Sequence, residues 1–297
     1  MAEICWLSRR PQKLTRPLVI AVFDGEDDPA RSGFLALNYM RDVFEARQIA
    51  EIDVEQYVDY EENRPFVTTE DGTLRHVEWP TIDIFRGKDK KAKRDVILIS
   101  FVEPRVAWRS YTALVIETIS TFKPEDVIFL GGQIVHTPHT FPTEVNARSN
   151  SPRLMRNLGL MSDHYIGPTT VMGAVQIGLD AVGTSLAIMW SSVPHYLVQT
   201  PSPKAARALV SKVAELFKLT LDPSDFDVAV LEYEETITKI IESDDEVFNY
   251  LARLGVAEIE DSAADLNEYV AMDPAGLAVD MIDEAEDYLR QIRRDID

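Results

Sequence analysis

Apolar residues in this chain come in two patterns, short continuous runs and stretches of helical period, and the two alternate along most of its length. Leu18 to Phe23 is an unbroken apolar run closed by Asp24-Gly25, the mark of a buried strand ending in a turn. From Gly33 the period changes: Phe34, Leu37, Met40 and Phe44 recur at helical spacing, and Ser32 is placed to cap the helix. Ile49 to Val54 predicts a second strand. Phe66–Thr69 and Thr73–Val77 flank Glu70-Asp71-Gly72 and predict a hairpin, because an Asp-Gly step supplies the left-handed backbone that a tight turn needs. Lys88 to Arg94 reads as a basic loop.

A second unit follows. Asp95 to Phe101 predicts a buried strand, and Tyr111, Leu114, Val115 and Ile119 a helix stripe. Val127 to Leu130 is another strand, read as stopping at Gly131-Gly132. Thr169 to Val182 has helical period and many small residues, which suits close backbone packing on the sheet or on another subunit. Ser185 to Trp190 predicts one more strand. Ser202-Pro203 then supplies a cap and a first-turn proline for a helix buried through Leu209, Val210, Val213, Leu216 and Phe217. Strands apolar on both faces need cover on both faces, so the reading is an α/β fold, a parallel sheet between two helix layers.

Charge divides the chain differently. Of 297 residues, 50 are acidic and 30 basic, for a net charge of −20. Residues 1–221 carry 27 acidic and 25 basic side chains, whereas residues 222–297 carry 23 and 5. The abrupt shift beside Leu221-Asp222-Pro223 predicts two domains, an α/β domain over 1–221 and an acidic helical subdomain over 222–297. In the latter, Phe226, Val230, Tyr233, Ile237 and Ile240 keep helical spacing, as do Phe248 and Leu251, and Asp273-Pro274 opens a final helix on Leu277, Met281, Ala285, Leu289 and Ile292. Such stripes must dock on something.

The same arithmetic excludes some functions. Phosphate-backbone binding depends on clustered cations, so nucleic acid is not an expected partner. The most apolar stretch, Ile166 to Val198, is broken by Gln176, Asp180 and Pro194 and does not predict a membrane span. One cysteine, Cys5, precludes an internal disulfide, and no basic and apolar leader opens the chain; a cytoplasmic location is expected.

In an open α/β sheet, ligands bind beyond the carboxyl ends of the strands. Three segments fall there: Asp24-Gly25-Glu26-Asp27-Asp28, Glu103 to Arg109, and Gly131 to His139. The candidate ligand-binding residues are therefore Asp24, Gly25, Glu103, Arg105, Arg109, Gly131, Gly132 and His136, converging on one crevice. Arg105 and Arg109, four apart, share a face if that turn is helical and would suit a phosphate or carboxylate. The plainer reading, which we prefer, is an ion network with Glu103 and the acidic first loop. His136 and His139 flank Thr137-Pro138 with no third ligand at a suitable spacing, so no metal is expected. Asp24 to Asp28 lacks the order of a calcium loop and reads as solvated. Glycine-rich dinucleotide, P-loop and nucleophile-elbow motifs are missing from the sequence, and no cofactor is expected.

Taken together, Phe23-Asp24-Gly25, Glu103-Pro104-Arg105, Leu130-Gly131-Gly132, His136-Thr137-Pro138-His139 and Gly167-Pro168-Thr169-Thr170 resemble the proteasome assembly chaperone family of the second-subunit type. Ser191-Ser192-Val193-Pro194-His195-Tyr196, followed by Ser202-Pro203-Lys204-Ala205-Ala206, carries the likeness furthest. It covers about residues 18–221 and matches a longer bacterial branch with a helical extension. The resemblance implies a three-layer αβα domain similar to nucleoside phosphorylases and self-association as a homo-oligomer, a trimer being one form. It also implies a non-catalytic role on protein partners such as proteasome subunits. The alternative is a small-molecule binder or enzyme using the strand-end crevice, with an acid or base among its carboxylates and His136.

Overall fold

A computed structural model describes residues 3–11, 13–70, 73–158 and 167–242. Among the described residues ten strands are formed: β1 (Cys5–Trp6), β2 (Leu18–Asp24), β3 (Arg47–Asp53), β4 (Phe66–Glu70), β5 (Thr73–Glu78), β6 (Thr81–Asp89), β7 (Arg94–Val102), β8 (Asp126–Val135), β9 (Val145–Ser149) and β10 (Leu186–Pro194). The helices are α1 (Ser32–Val43), α2 (Trp108–Thr121), α3 (Pro152–Leu158), α4 (Val171–Ala181), α5 (Pro203–Phe217) and α6 (Asp227–Glu242).

Eight strands form one sheet in the order β1-β3-β6-β7-β2-β8-β10-β9. The central four, β7-β2-β8-β10, are parallel, and the strands outside them are antiparallel. The sheet is thus mixed, with its parallel part confined to the continuous apolar runs. Alternation along those runs builds two cores. Val19, Ala21 and Phe23 of β2, with Ile97, Ile99 and Phe101 of β7, face α2 and α4. Leu18, Ile20 and Val22, with Val96 and Leu98, face α1 and α5. Every one of these side chains is fully buried, so the architecture is a three-layer αβα sandwich. α6 packs outside α5, burying Val230 and Ile237 and linking through Arg207 to Asp227 at 3.0 Å. β4 and β5 pair only with each other, as the hairpin pattern predicts; the Asp71-Gly72 step and the helices expected beyond Ser243 lie outside the described residues.

Three local expectations are corrected. β8 does not stop at Gly131-Gly132 but runs through them to Val135, held by β10 in register from Leu186↔Val127 to Pro194↔Val135. The basic loop shrinks to a turn at residues 90–93, because β6 and β7 extend toward each other and bury Arg94 beside Glu125. The helix at Ser32 is capped from further upstream, by Asp28.

Candidate functional site

Because β7, β2, β8 and β10 are parallel neighbours, the loops that leave their carboxyl ends share one edge of the sheet. The middle loop, after β2, is built on carboxylates. Asp28 accepts the backbone N–H groups of Gly33 and Phe34 at 2.7 and 2.8 Å and the Ser32 hydroxyl at 2.9 Å. Ala30 and Arg31, at φ of 56° and 48°, give the left-handed turn that places Asp28 beneath the first turn of α1. Burial pushes the Asp28 carboxyl up to about 6 in spite of these donors. Asp27 points toward the start of α4, near the Thr170 hydroxyl and the Met172 amide; burial raises its carboxyl, and its Oδ2 is buried without a hydrogen-bond partner among the described residues. The expectation of a solvated acidic loop is therefore corrected: Asp27 and Asp28 are both buried, and Asp28 caps α1. Asp24 remains half-exposed and pairs with Arg31 at 3.0 Å.

Glycine makes room for this loop. A Cβ on Gly131 would lie 2.2 Å from the Asp27 carbonyl oxygen, and one on Gly132 would lie 2.9 Å from Pro29. Gly132 donates its N–H to the Asp27 carbonyl at 3.2 Å. β2 pairs with β8 only as far as Val22↔Leu130, and the loop folds over the space beyond. Gly25 works the same way on the other side, since a Cβ there would fall 2.1 Å from Glu103 Oε2, which accepts the Glu26 N–H.

On the β7 side, Glu103 is half-buried and its carboxyl is raised by burial. Arg105 is fixed through its backbone N–H to the Tyr57 carbonyl at 2.8 Å, and its guanidinium pairs with Glu26 and Glu62. Arg109 does not share a helical face with it: Ala107, at φ 55°, turns the chain between them, and Arg109 stands exposed on the first turn of α2. Arg105 instead lines an open groove of about 700 Å³ with Val58, Tyr60, Arg64, Pro65 and Val106.

His136 belongs to another group. Its ring lies 4.8 Å from that of His195, at the β8 and β10 ends. Buried His139 contacts the Tyr196 hydroxyl through Nδ1 at 3.0 Å and Thr238 of α6 through Nε2 at 3.4 Å. Lys204 donates to the His139 carbonyl at 2.6 Å and pairs with Glu234 of α6 at 2.6 Å. Burial lowers the pKa of both His139 and His195, reinforced by Lys204 and by His136 respectively. Among the described residues, no three His, Cys, Asp or Glu side chains converge on a metal position. Asp27, Asp28, His195, Tyr196 and Lys204 were not among the candidate residues, although the Pro-His-Tyr step after an apolar strand marks two of them.

The geometry defines a three-layer α/β protein whose strand-end loops are closed by their own carboxylates and glycines and whose last described helix is pinned to those loops. The PAC2 family model matches residues 22–241, and the chain belongs to that family. It is 32% identical to a Mycobacterium tuberculosis proteasome-assembly chaperone homologue, over 79% of this chain and 99% of that one, with a TM-score of 0.70. A PAC2 family protein of Streptomyces avermitilis is 27% identical over 79% and 99% of the two chains, also at 0.70. An archaeal proteasome activator from Pyrococcus furiosus shares the fold at 17% identity and a TM-score of 0.65, covering 80% of this chain and 98% of its own. No curated protein matches the chain in sequence. Among the described residues, no helix is long and apolar enough to cross a membrane.

Proposed function

We propose that this chain is a non-catalytic assembly factor that binds proteins and associates with itself, with proteasome subunits as the leading partner class. One observation carries the reading: Asp24, Asp28, Glu26, Glu103 and Arg105 at the strand ends are spent on the protein's own backbone and side chains. Asp28 caps α1, Asp24 pairs with Arg31, Glu103 holds the Glu26 amide, and Arg105 is shared by Glu26 and Glu62. A site that bound an anion at this edge would first have to break those pairs. The names carried by the Mycobacterium tuberculosis and Pyrococcus furiosus relatives support a proteasome partner. Mixing the full chain with purified proteasome α-subunits tests this: a stable complex, or faster ring assembly, is expected, and neither at any ratio would remove the proteasome from the proposal.

A second reading, a small-molecule site, is favoured by the groove at Arg105. Thermal shifts with phosphate, nucleosides and sugar phosphates test it, because a ligand at 100 times its dissociation constant adds about 2.7 kcal/mol. Stabilisation that Arg105→Ala abolishes would establish it, and flat curves would dismiss it.

A further inference from the structure

The two helix layers of the sandwich are finished differently. α5 and α6 carry ten charged residues between them, whereas α2 and α4 carry three, Arg109, Glu117 and Asp180. The α1–α5 layer is partly roofed by α6. The α2–α4 layer has no described element over it, and large apolar side chains stand out from it: Trp108 at one end, Ile177 in the middle and Val182 at the other, exposed by 39, 71 and 60%. The two helices sit close, since a Cβ on Gly178 would lie 2.2 Å from Ile116 Cδ1, so the face is continuous. The Trp108 indole N–H is held by the Pro104 carbonyl at 3.1 Å, which orients its ring.

We propose that the outer face of α2 and α4 is the surface through which two copies of this chain associate. The inference rests on the self-association read above and adds the face that carries it. Depletion of charge together with an exposed aromatic is the composition of an interface core. The charge balance selects the occupant. Each copy carries −20, and approach through a charged face brings like charges within a screening length. The α2–α4 face has a net charge of −1 and lies across the sheet from α6, where the acidic segment begins. Copies meeting there keep their α6 helices apart. A face with so few charges needs no complementary partner and can pair with its own image about a twofold axis.

Sedimentation velocity of the full chain over a concentration series tests this. Ile177→Ala keeps a good helix former at an exposed position and so preserves the fold. It should raise the dissociation constant about tenfold by deleting buried apolar area on both copies. Ile177→Asp should sediment as the monomer, while Leu231→Asp on exposed α6 should leave the mass unchanged. A wild-type oligomer that neither Ile177 variant weakens would overturn this interface and leave self-association standing. A wild type that is monomeric throughout would overturn both. Dissociation by Leu231→Asp with Ile177→Asp intact would place the contact on the α5–α6 side and overturn the proposal.

Discussion

The Asp28 carboxylate and the Gly33 amide, 2.7 Å apart, join the end of the central strand to the start of α1. Asp28 stands five residues before the amide it caps, and the second carboxylate oxygen takes the next amide, that of Phe34. Both oxygens are therefore committed, inside a site dry enough to raise the carboxyl to about 6.

This arrangement predicts an inverted pH response. The folded pKa lies above that of the unfolded chain, so between about pH 4 and 6 the folded state binds more protons, and the Asp28 contribution to stability falls as pH rises through that window. Asp28→Asn should lose one of the two cap bonds and destabilise the protein by about 1 to 2 kcal/mol near neutral pH. The penalty should grow toward pH 4.5, where the wild type gains from protonation and the amide cannot. Urea midpoints of both proteins at pH 4.5 and 7.5 measure it. A pH-independent difference would show that Asp28 titrates normally.

Gly131 and Gly25 should respond unequally to alanine. At Gly131 the new methyl meets a backbone oxygen of Asp27, which cannot move without displacing the helix-capping loop. We expect a loss of about 3 kcal/mol or more. At Gly25 it meets the Glu103 side chain, whose carboxylate can swing away at the loss of its bond to the Glu26 amide, for about 1 to 2 kcal/mol. Thermal or urea unfolding of the two variants ranks them, and a tolerated Gly131→Ala would contradict the close approach of the loop to β8.

Sequence pattern reaches the core of this fold because burial on both faces demands unbroken apolar runs, as in Leu18 to Phe23 and Val127 to Leu130. It fails at Gly131-Gly132 for a physical reason: glycine signals a turn and a close backbone approach with the same letter, and here the second meaning holds. The acidic loop misleads in the same way. Asp27 and Asp28 look solvated in sequence because what buries them, the start of α1 for Asp28 and the start of α4 for Asp27, is brought to them only by the fold. Of the expected crevice, Asp24, Gly25, Glu103, Gly131 and Gly132 do line the loop after β2, and Arg105 adjoins it. His136 instead joins His195, a pairing separated by 59 positions that no local spacing reveals.

Lys204 is the pin between α6 and the sheet domain. Its ammonium joins the His139 carbonyl to the Glu234 carboxylate and is mostly buried. Lys204→Met should leave both acceptors short of a donor and cost about 1 to 2 kcal/mol. Glu234→Gln should cost less, because the amide oxygen can still accept. A double-mutant cycle should return a coupling of about 1 kcal/mol. Protease cleavage between α5 and α6 should quicken in the lysine variant, and an unchanged cleavage rate would mean that α6 is held mainly by Val230 and Ile237.

Acid should loosen the same helix. His139 faces Lys204 of α5, Tyr196 beyond β10, and Glu234 and Thr238 of α6, while His195 faces His136. Both imidazoles have folded pKa values below the ordinary 6.5, so the unfolded chain takes up protons first and stability is lost as pH falls through about 6.5, with the full contribution present above it. The change opposes that of Asp28 and begins at higher pH, so comparison with single variants separates them. His139→Gln keeps groups that can bond Tyr196 and Thr238 but cannot be charged, and it should flatten the fall in melting temperature between pH 7.5 and 5.5. Hydrogen exchange gives the local version: amides of residues 230–238 should exchange faster at pH 5.5 than expected from intrinsic rates in the wild type, and less so in the variant. Equal protection of α6 in the two proteins at both pH values would remove His139 from the control of that helix.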